Sequence, residues 1–261
     1  MEAQQKKSTV ERRKKILNIL DDKGQVYVNE LSKTFNVSEV TIRNDLDQLE
    51  SKKHLIRARG GALKHEHNVA LDYRISDKYK FNLSEKMKIG KAAAELINEN
   101  ETIILDSGTT TLEVAKNLSH FKSLNLITNA INIINTLIQN QNINVIVPGG
   151  TLRIESQSLI GPIAEKMMKN FSVDKVFIGV DGIDSELGAF TPNIEEASLN
   201  QVMINLSRKV IVVTDSSKFK KRSLAHICPP HDIDYIVTDA GISKEDKIHL
   251  EKKGIKIIIA T

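Results

Sequence analysis

The first place in this chain where residue types and spacing could do chemistry is an apolar run that stops on an acid. Ile103-Ile-Leu105 gives way to Asp106, Ser107, Gly108, Thr109 and Thr110. Read as a buried strand, a tight turn and a helix start, the stretch leaves backbone N–H groups unpaired beside the positive end of a helix dipole, which favours a phosphate. Gly108 lets the backbone approach, and Ser107, Thr109 and Thr110 add hydroxyls without bulk. Asp106 would repel a phosphate dianion head-on, so it is expected to turn toward ligand hydroxyls or to cap the loop. An ordinary N-cap turn has the same residues. Four further groups follow apolar stretches: Thr128-Asn129, Pro148-Gly149-Gly150 with Arg153, Asp181-Gly182, and Asp215-Ser-Ser-Lys218. Arg153 and Lys218 suit a phosphate, and Asp106, Asn129, Asp181 and Asp215 suit sugar hydroxyls. Glu195 and Glu196 open a later helix, and one of them can reach the same place; the sequence leaves open which.

These groups act together only if a common scaffold gathers them. Seven runs of branched apolar residues supply one: 102–105, 124–128, 144–147, 175–180, 209–214, 235–238 and 256–259. Helical stretches separate most of them. One begins at Ser84, with Ile89, Ala92, Ala93, Leu96 and Ile97 on one face. Uninterrupted apolar strands alternating with helices imply a parallel sheet covered on both sides, and ligands of such sheets bind beyond the strands' carboxyl ends. Taken singly, each loop has a plainer reading as a turn, a cap or a solvated charge. Five loops leaving one sheet edge imply one pocket, and its inventory matches a phosphorylated polyol. The domain is expected to span 84–261.

Residues 1–64 have a different character. They hold 14 Lys or Arg against 9 Asp or Glu, whereas the remaining residues hold 23 against 24. The whole excess behind the net charge of +4 therefore lies in the first quarter, as expected of a part made for a polyanion. A helix over 6–20, a strand over 26–28, a helix over 30–35 capped by Asn29, and a third capped by Ser38 are expected. In the third, Ile42, Leu46 and Leu49 face a core, and Glu39, Thr41, Arg43, Asn44 and Asp47 face outward. Two short helices joined by a tight turn have helix-turn-helix geometry, with Arg43 suited to guanine and Asn44 to adenine in the major groove. Arg57 and Arg59 then share a strand face in a basic wing that would neutralise phosphates. Charge runs are also found on plain solvated faces, but spacing, caps and charge agree here on DNA. Residues 65–83 read as a linker without sustained periodicity, too apolar for a free tether. His65 and His67 have a ligand-like spacing with no third ligand nearby, so no metal and no cofactor is expected.

The 261 residues, 40% hydrophobic and 27% charged, exceed the usual size of one domain. The sequence holds no uncharged apolar window long enough for a membrane span, and a charged start stands where a signal peptide would be apolar; cytoplasmic action is the expectation. Cys228, the single cysteine, excludes an internal disulfide and any multi-cysteine zinc site, and reads as a small buried hydrophobe.

Val37-Ser-Glu-Val-Thr-Ile-Arg-Asn-Asp-Leu46, Arg59-Gly-Gly61, Asp106-Ser-Gly-Thr-Thr110, Thr128-Asn129, Pro148-Gly-Gly-Thr-Leu-Arg153, Gly161-Pro162 and Asp215-Ser-Ser-Lys218 occur in the order seen in the DeoR family of bacterial sugar-metabolism regulators, which the chain resembles over essentially its full length. The resemblance implies a winged helix-turn-helix joined to a domain like ribose-5-phosphate isomerase, CoA transferases and sugar-phosphate deaminases. It also implies a phosphorylated sugar as effector, and usually repression. Many members carry a second basic residue after the recognition-helix Arg, where this chain has Asn44. Gly179-Val-Asp-Gly182, Thr191-Pro-Asn193, Glu196-Ala197 and Arg222-Ser-Leu224 look most like regulators of amino-sugar use, such as those for N-acetylgalactosamine. Two-fold operators require half-sites roughly 34 Å or a multiple apart, so a homodimer or homotetramer is expected. The rival reading is a sugar-phosphate isomerase or deaminase in which Asp181, Asp215, a Glu and Lys218 supply base and electrophile; against it stands the basic N-terminal part, which catalysis does not need. A purely architectural DNA binder would leave the pocket loops without a purpose.

Overall fold

The computed structural model describes residues 2–23, 25–51, 54–58, 60–64, 72, 74–79 and 81–261. The chain divides into two compact units, Met1–Asn68 and Val69–Thr261. Arg59, His65 and His67 lie outside the described residues.

The first unit runs α1 (Glu2–Lys23), β1 (Gln25–Tyr27), α2 (Val28–Phe35), α3 (Glu39–Glu50), β2 (Leu55–Ala58) and β3 (Gly61–Lys64). Ile16, Leu20, Val28, Leu31, Ile42, Leu46, Leu49 and Leu55 close one small core, so the apolar spacing of α3 fixes which face it turns outward. Ser38 caps α3, accepting from Thr41 N–H at 3.2 Å. Asn29 does not cap α2, contrary to expectation. That helix opens at Val28, because burial of Val28 in the core draws it into the first turn, and Asn29 Oδ1 accepts from Glu30 N–H instead of capping the helix. Asn36 ends α2 at φ 50°, its short amide side chain tolerating the left-handed conformation that turns the chain into α3. β2 and β3 form an antiparallel hairpin with β1 on its outer side, in the order β1-β3-β2. Gly61 is required there, since a Cβ would stand 2.1 Å from Val26 O.

The second unit begins with α4 (Ile75–Lys78) and α5 (Leu83–Ala94), then β4 (Thr102–Leu105), α6 (Thr109–Lys116), β5 (Leu124–Thr128), α7 (Ile131–Leu137) and β6 (Ile143–Ile146). A hairpin of β7 (Thr151–Arg153) and β8 (Ser158–Ile160) leads to α8 (Pro162–Met168) and β9 (Val173–Gly179). After β10 (Gly182–Asp184) and β11 (Gly188–Thr191) come α9 (Ile194–Asn205), β12 (Ser207–Val213), β13 (Ala225–Cys228), β14 (Tyr235–Asp239), α10 (Lys244–Lys252) and β15 (Lys256–Ala260). The seven apolar runs form one all-parallel sheet, ordered β15-β14-β12-β9-β4-β5-β6. Alternation along β4 splits the core: Ile103 and Leu105 pack with Ile89, Ala93 and Val114 of α5 and α6, and Ile104 packs with Ala164, Leu199 and Leu250 of α8, α9 and α10. Cys228 is buried, and that burial pushes its thiol up to about 12.

The strand order locates the site. From β4 the chain proceeds outward through β5 and β6 on one side, and through β9, β12, β14 and β15 on the other. The order therefore reverses between β4 and β9, and the crevice at that switch point opens between the loops leaving those two strands. Those loops carry Asp106 and Asp181.

Candidate functional site

In the first unit the outward residues of α3 are set by its start and its packing. Ser38 Oγ also meets Thr41 Oγ1 at 2.8 Å. Glu39 and Arg43 pair one turn apart at 2.8 Å, both about half exposed, and Asn44 is exposed beside them. Arg57 of the wing is tied back: its guanidinium donates to Asp47 at 2.9 Å and to Gly61 O at 2.7 Å, and its N–H donates to Glu50. Asp45, which the sequence reading passed over, is buried between Arg12 at 2.6 Å and Arg13 at 2.7 Å, and so pins α1 to α3.

In the second unit, the loop after β4 turns inward. Asp106 is buried, its N–H donates to Phe177 O of β9, and Gly108 lies close enough to Gly179 that a Cβ on Gly108 would stand 3.9 Å from the Gly179 Cα. Gly108 is the N-cap of α6, whose first residues Thr109 and Thr110 are largely buried, while Ser107 is partly exposed. Burial, with the charge of Glu196 behind it, pushes the Asp106 carboxyl well above the usual carboxylate range. The Asn200 side-chain amide donates to it.

Glu196, not Glu195, faces inward. Asn193 caps α9 by accepting from Glu196 N–H at 3.0 Å, which aims the buried Glu196 at Arg153 (3.2 Å), Ser158 (3.4 Å) and Thr191 (3.4 Å), while Glu195 is exposed. Arg153 sits on β7, where Gly149 and Gly150 at φ 75° and 124° turn the chain; a Cβ on Gly150 would lie 2.7 Å from Ile160 O of β8. Its guanidinium also donates to Ser156 and to Asp72. Asn129 is buried, donates to Leu159 O at 3.3 Å, and leaves its Oδ1 without a hydrogen bond among the described residues.

Asp181 accepts from Lys78 Nζ at 2.9 Å and lies 3.5 Å from Lys218 Nζ. Burial works to raise its carboxyl, but the two ammonium groups outweigh it and hold it at about 2. Burial likewise works to lower the Lys78 ammonium, and Asp181, with Asp72 and Glu196 beyond it, brings the net shift upward. Asp215 accepts from Asn82 at 2.8 Å and from Ser217. Lys86 on α5 is buried, donates to Lys78 O at 2.6 Å, and is lowered to about 8, burial prevailing over the attraction of Asp215. Lys78 therefore stands between two halves of one polar network, the Asp181, Lys218 and Lys86 side and the Arg153, Glu196 and Asp106 side. Arg153, Lys78 and Lys218 each already face a carboxylate.

Comparison with known proteins bears on both units. Residues 12–67 match the DeoR-like helix-turn-helix domain and residues 81–240 match the DeoR C terminal sensor domain. The chain belongs to the DeoR family. This DeoR-family chain is 41% identical over 252 residues, 96% of its length and 94% of the relative's, to an Escherichia coli O157:H7 protein named as an aga operon transcriptional repressor. It is 34% identical to the transcriptional repressor AccR of Agrobacterium fabrum (97% and 98% covered) and 35% identical to the HTH-type regulator YulB of Bacillus subtilis (95% and 95%). It is a transcriptional regulator. Among solved structures, ribose 5-phosphate isomerase A of Methanocaldococcus jannaschii aligns at 16% identity and TM-score 0.40 over 54% of this chain and 56% of that one. A 4-hydroxybutyrate CoA-transferase of Porphyromonas gingivalis aligns at 15% and 0.39 over 66% and 52%. No helix among the described residues is long and apolar enough to cross a membrane.

The network of this DeoR-family regulator includes residues that sequence reasoning missed: Asp72, Lys78, Asn82, Lys86 and Asn200. Two of them carried a signal. Lys86 stands within the otherwise apolar-facing stretch of α5, and Asn200 is one helical turn after Glu196 on the same face. Asp72, Lys78 and Asn82 carried none, since they lie in the aperiodic stretch.

Proposed function

We propose that the chain represses a sugar or amino-sugar catabolic operon and that a phosphorylated sugar, such as N-acetylgalactosamine 6-phosphate, relieves its grip on operator DNA. The observation that carries this is the largely buried polar network around Lys78, near the β4–β9 switch point. Lys78 faces Asp181, which Lys218 also approaches, and Asp72, which Arg153 holds together with Glu196, and such a set of cations matched by carboxylates fits a phosphate with hydroxyls attached. In this reading the turn of Ser107, Gly108, Thr109 and Thr110 and the Arg153 or Lys218 cation take the phosphate. Asp106, Asn129, Asp181, Glu196 and Asp215 take the hydroxyls, and Gly149 and Gly150 shape the entrance. Asn129 Oδ1, without a hydrogen bond among the described residues, would accept from a ligand hydroxyl. The repressor names of two relatives support the sign of the response, and the amino-sugar look of 179–197 supports the sugar class.

On the DNA side, Ser38, Glu39, Thr41, Arg43 and Asn44 would read the major groove, and Arg57 and Arg59 would hold phosphates. A homodimer or homotetramer would present two such helices to a two-fold operator, and operator binding requires the protein in the compartment that holds the DNA. The test is a thermal-shift screen against phosphorylated and unphosphorylated sugars, followed by DNA binding across a salt series with and without the best of them. A phosphorylated sugar is expected to raise the melting temperature by mass action and to weaken DNA binding. Equal shifts from the unphosphorylated sugars, or DNA affinity indifferent to every ligand, would remove the reading.

A further inference from the structure

Arg153 is not waiting for an anion, because it already holds one. Its guanidinium donates to the Asp72 carboxylate, and Asp72 belongs to the few residues that follow Asn68, the last residue of the first unit. The segment after Asp72 is bound to the same place at further points. Ile75 N–H donates to Glu155 O in the β7–β8 turn at 2.7 Å, Lys78 pairs with Asp181, and Asn82 donates to Asp215. Asp72, Ile75, Lys78 and Asn82 thus reach three of the loops that form the candidate pocket. The first described residues of the second unit therefore touch the candidate site.

We infer that Asp72 is an internal stand-in for the effector's phosphate: in the ligand-free chain its carboxylate occupies Arg153, and a sugar phosphate displaces it, releasing the segment that leads back to the helix-turn-helix. This rests on the reading of the pocket as a sugar-phosphate site and adds how that site is coupled to DNA. The physical grounds are competition and charge. A guanidinium binds a phosphate through parallel N–H···O bonds more strongly than it holds a monoanionic carboxylate shared with other partners. Arg153 here divides itself among Asp72, Glu196 and Ser156. A second anion beside Asp72 would add a like charge to Glu196 and Asp181 close by, so ligand and Asp72 cannot both stay at low cost. Effector binding and the docking of Asp72 then draw on the same cation, and such a shared partner gives a reciprocal coupling free energy.

The test uses the full chain and two readouts, with N-acetylgalactosamine 6-phosphate and galactosamine 6-phosphate as probes. In the wild type, amide hydrogen exchange over residues 74–79 is expected to speed up on saturation with the bound probe, as the Ile75 to Glu155 bond is given up. Asp72→Asn is expected to exchange fast there without ligand and to bind the probe roughly five- to tenfold more tightly, the lower part of the range of site couplings. Its affinity for a duplex selected by the full chain from random sequence is expected to respond less to the probe. Asp184→Asn, which removes the partner of Arg222 outside this network, is expected to change none of these. Slower exchange over 74–79 on ligand binding, or unchanged probe affinity in Asp72→Asn, overturns the displacement and leaves the pocket reading standing. Failure of every sugar phosphate to bind either protein overturns the pocket reading, and the displacement with it.

Discussion

In the first unit the polar side chains proposed to read DNA stand largely in solvent, and the buried charge is structural; in the second unit several of the polar side chains proposed to bind the effector are themselves buried. Arg43 and Asn44 lie on the open face of α3, while Asp45, one position further, is sealed between Arg12 and Arg13. In the second unit Asp106, Glu196 and Asp215 are as buried as much of the core, and exposed pairs such as Lys209 with Asp234 sit at the opposite, amino-terminal ends of the strands. A duplex is read from outside by a rigid face, so its reader separates stability from recognition. A small anion must be enclosed, so its site shares residues between the two. Substitutions should therefore act on one property in the first unit and on both in the second.

The largest effect is expected where burial is purely structural. Asp45→Ala leaves two arginine side chains without their common anion at the α1–α3 contact, and a buried pair broken on one side costs about 3–5 kcal/mol. The first unit should lose its protection in hydrogen exchange over α1 and α3. A variant with wild-type protection there would break the contrast at its first term.

The working face of α3 should behave in the opposite way. Arg43→Ala is expected to leave calorimetric unfolding unchanged, since its pair with Glu39 is solvent-exposed. If Arg43 reads a guanine it should cost up to about 3 kcal/mol in specific DNA affinity. Arg43→Lys should not restore the loss, because a point charge does not reproduce the two-pronged contact. A fall in melting temperature with unchanged DNA affinity would reverse the assignment.

In the second unit one substitution should move both properties. Asp181 is held at about 2 by Lys78 and Lys218, below the ordinary 3.8, which corresponds to stability on the order of 2 kcal/mol. Because the folded value is depressed, that stability is present above about pH 4 and is lost as pH falls through the window from 3.8 to about 2. Asp181→Asn should remove it at neutral pH and weaken sugar-phosphate binding as well. Asp234→Asn, at the amino-terminal ends, keeps an acceptor for Val210 N–H and should leave the melting temperature at the wild-type value. Equal losses in the two variants would show that the two ends of the sheet do not differ.

The same contrast explains what was legible beforehand. The seven strands of the sheet were readable because each is a run of branched apolar residues, and a strand buried on both faces can be little else. Their polar termini were readable as loops for the same reason, which brought Asp106, Asp181 and Lys218 into view. The β7–β8 hairpin and the sheet of β10, β11 and β13 were not, because pieces such as Gly182-Ile-Asp184 are too short to carry a period. Asp72, Lys78 and Asn82 escaped because their segment takes its conformation from ion pairs with distant residues, 103 positions away for Lys78 and Asp181, and no local spacing encodes that. The start of α2 was misjudged by a stronger local signal, a capping-type Asn29, overridden by burial of Val28.

The smallest effect is expected at a deeply buried carboxyl of the pocket. Asp106 is driven upward by burial and by Glu196, so the folded state favours its protonated form more than the unfolded chain does. A raised carboxyl withdraws stability as pH rises from the ordinary 3.8 through its folded value, since the folded state there binds more protons than the unfolded one. Asp106→Asn substitutes an amide whose donor and acceptor mimic the protonated carboxyl, and it removes the cost of charging. The variant should melt at or slightly above the wild type at pH 8, with the difference closing toward pH 4. Its sugar-phosphate binding should change less than that of Asp181→Asn, because a hydroxyl can still donate to the amide oxygen. A marked loss of stability in Asp106→Asn would mean that the ionised carboxylate holds the β4–α6 turn together, and would move Asp106 from the ligand's side of the network to the scaffold's.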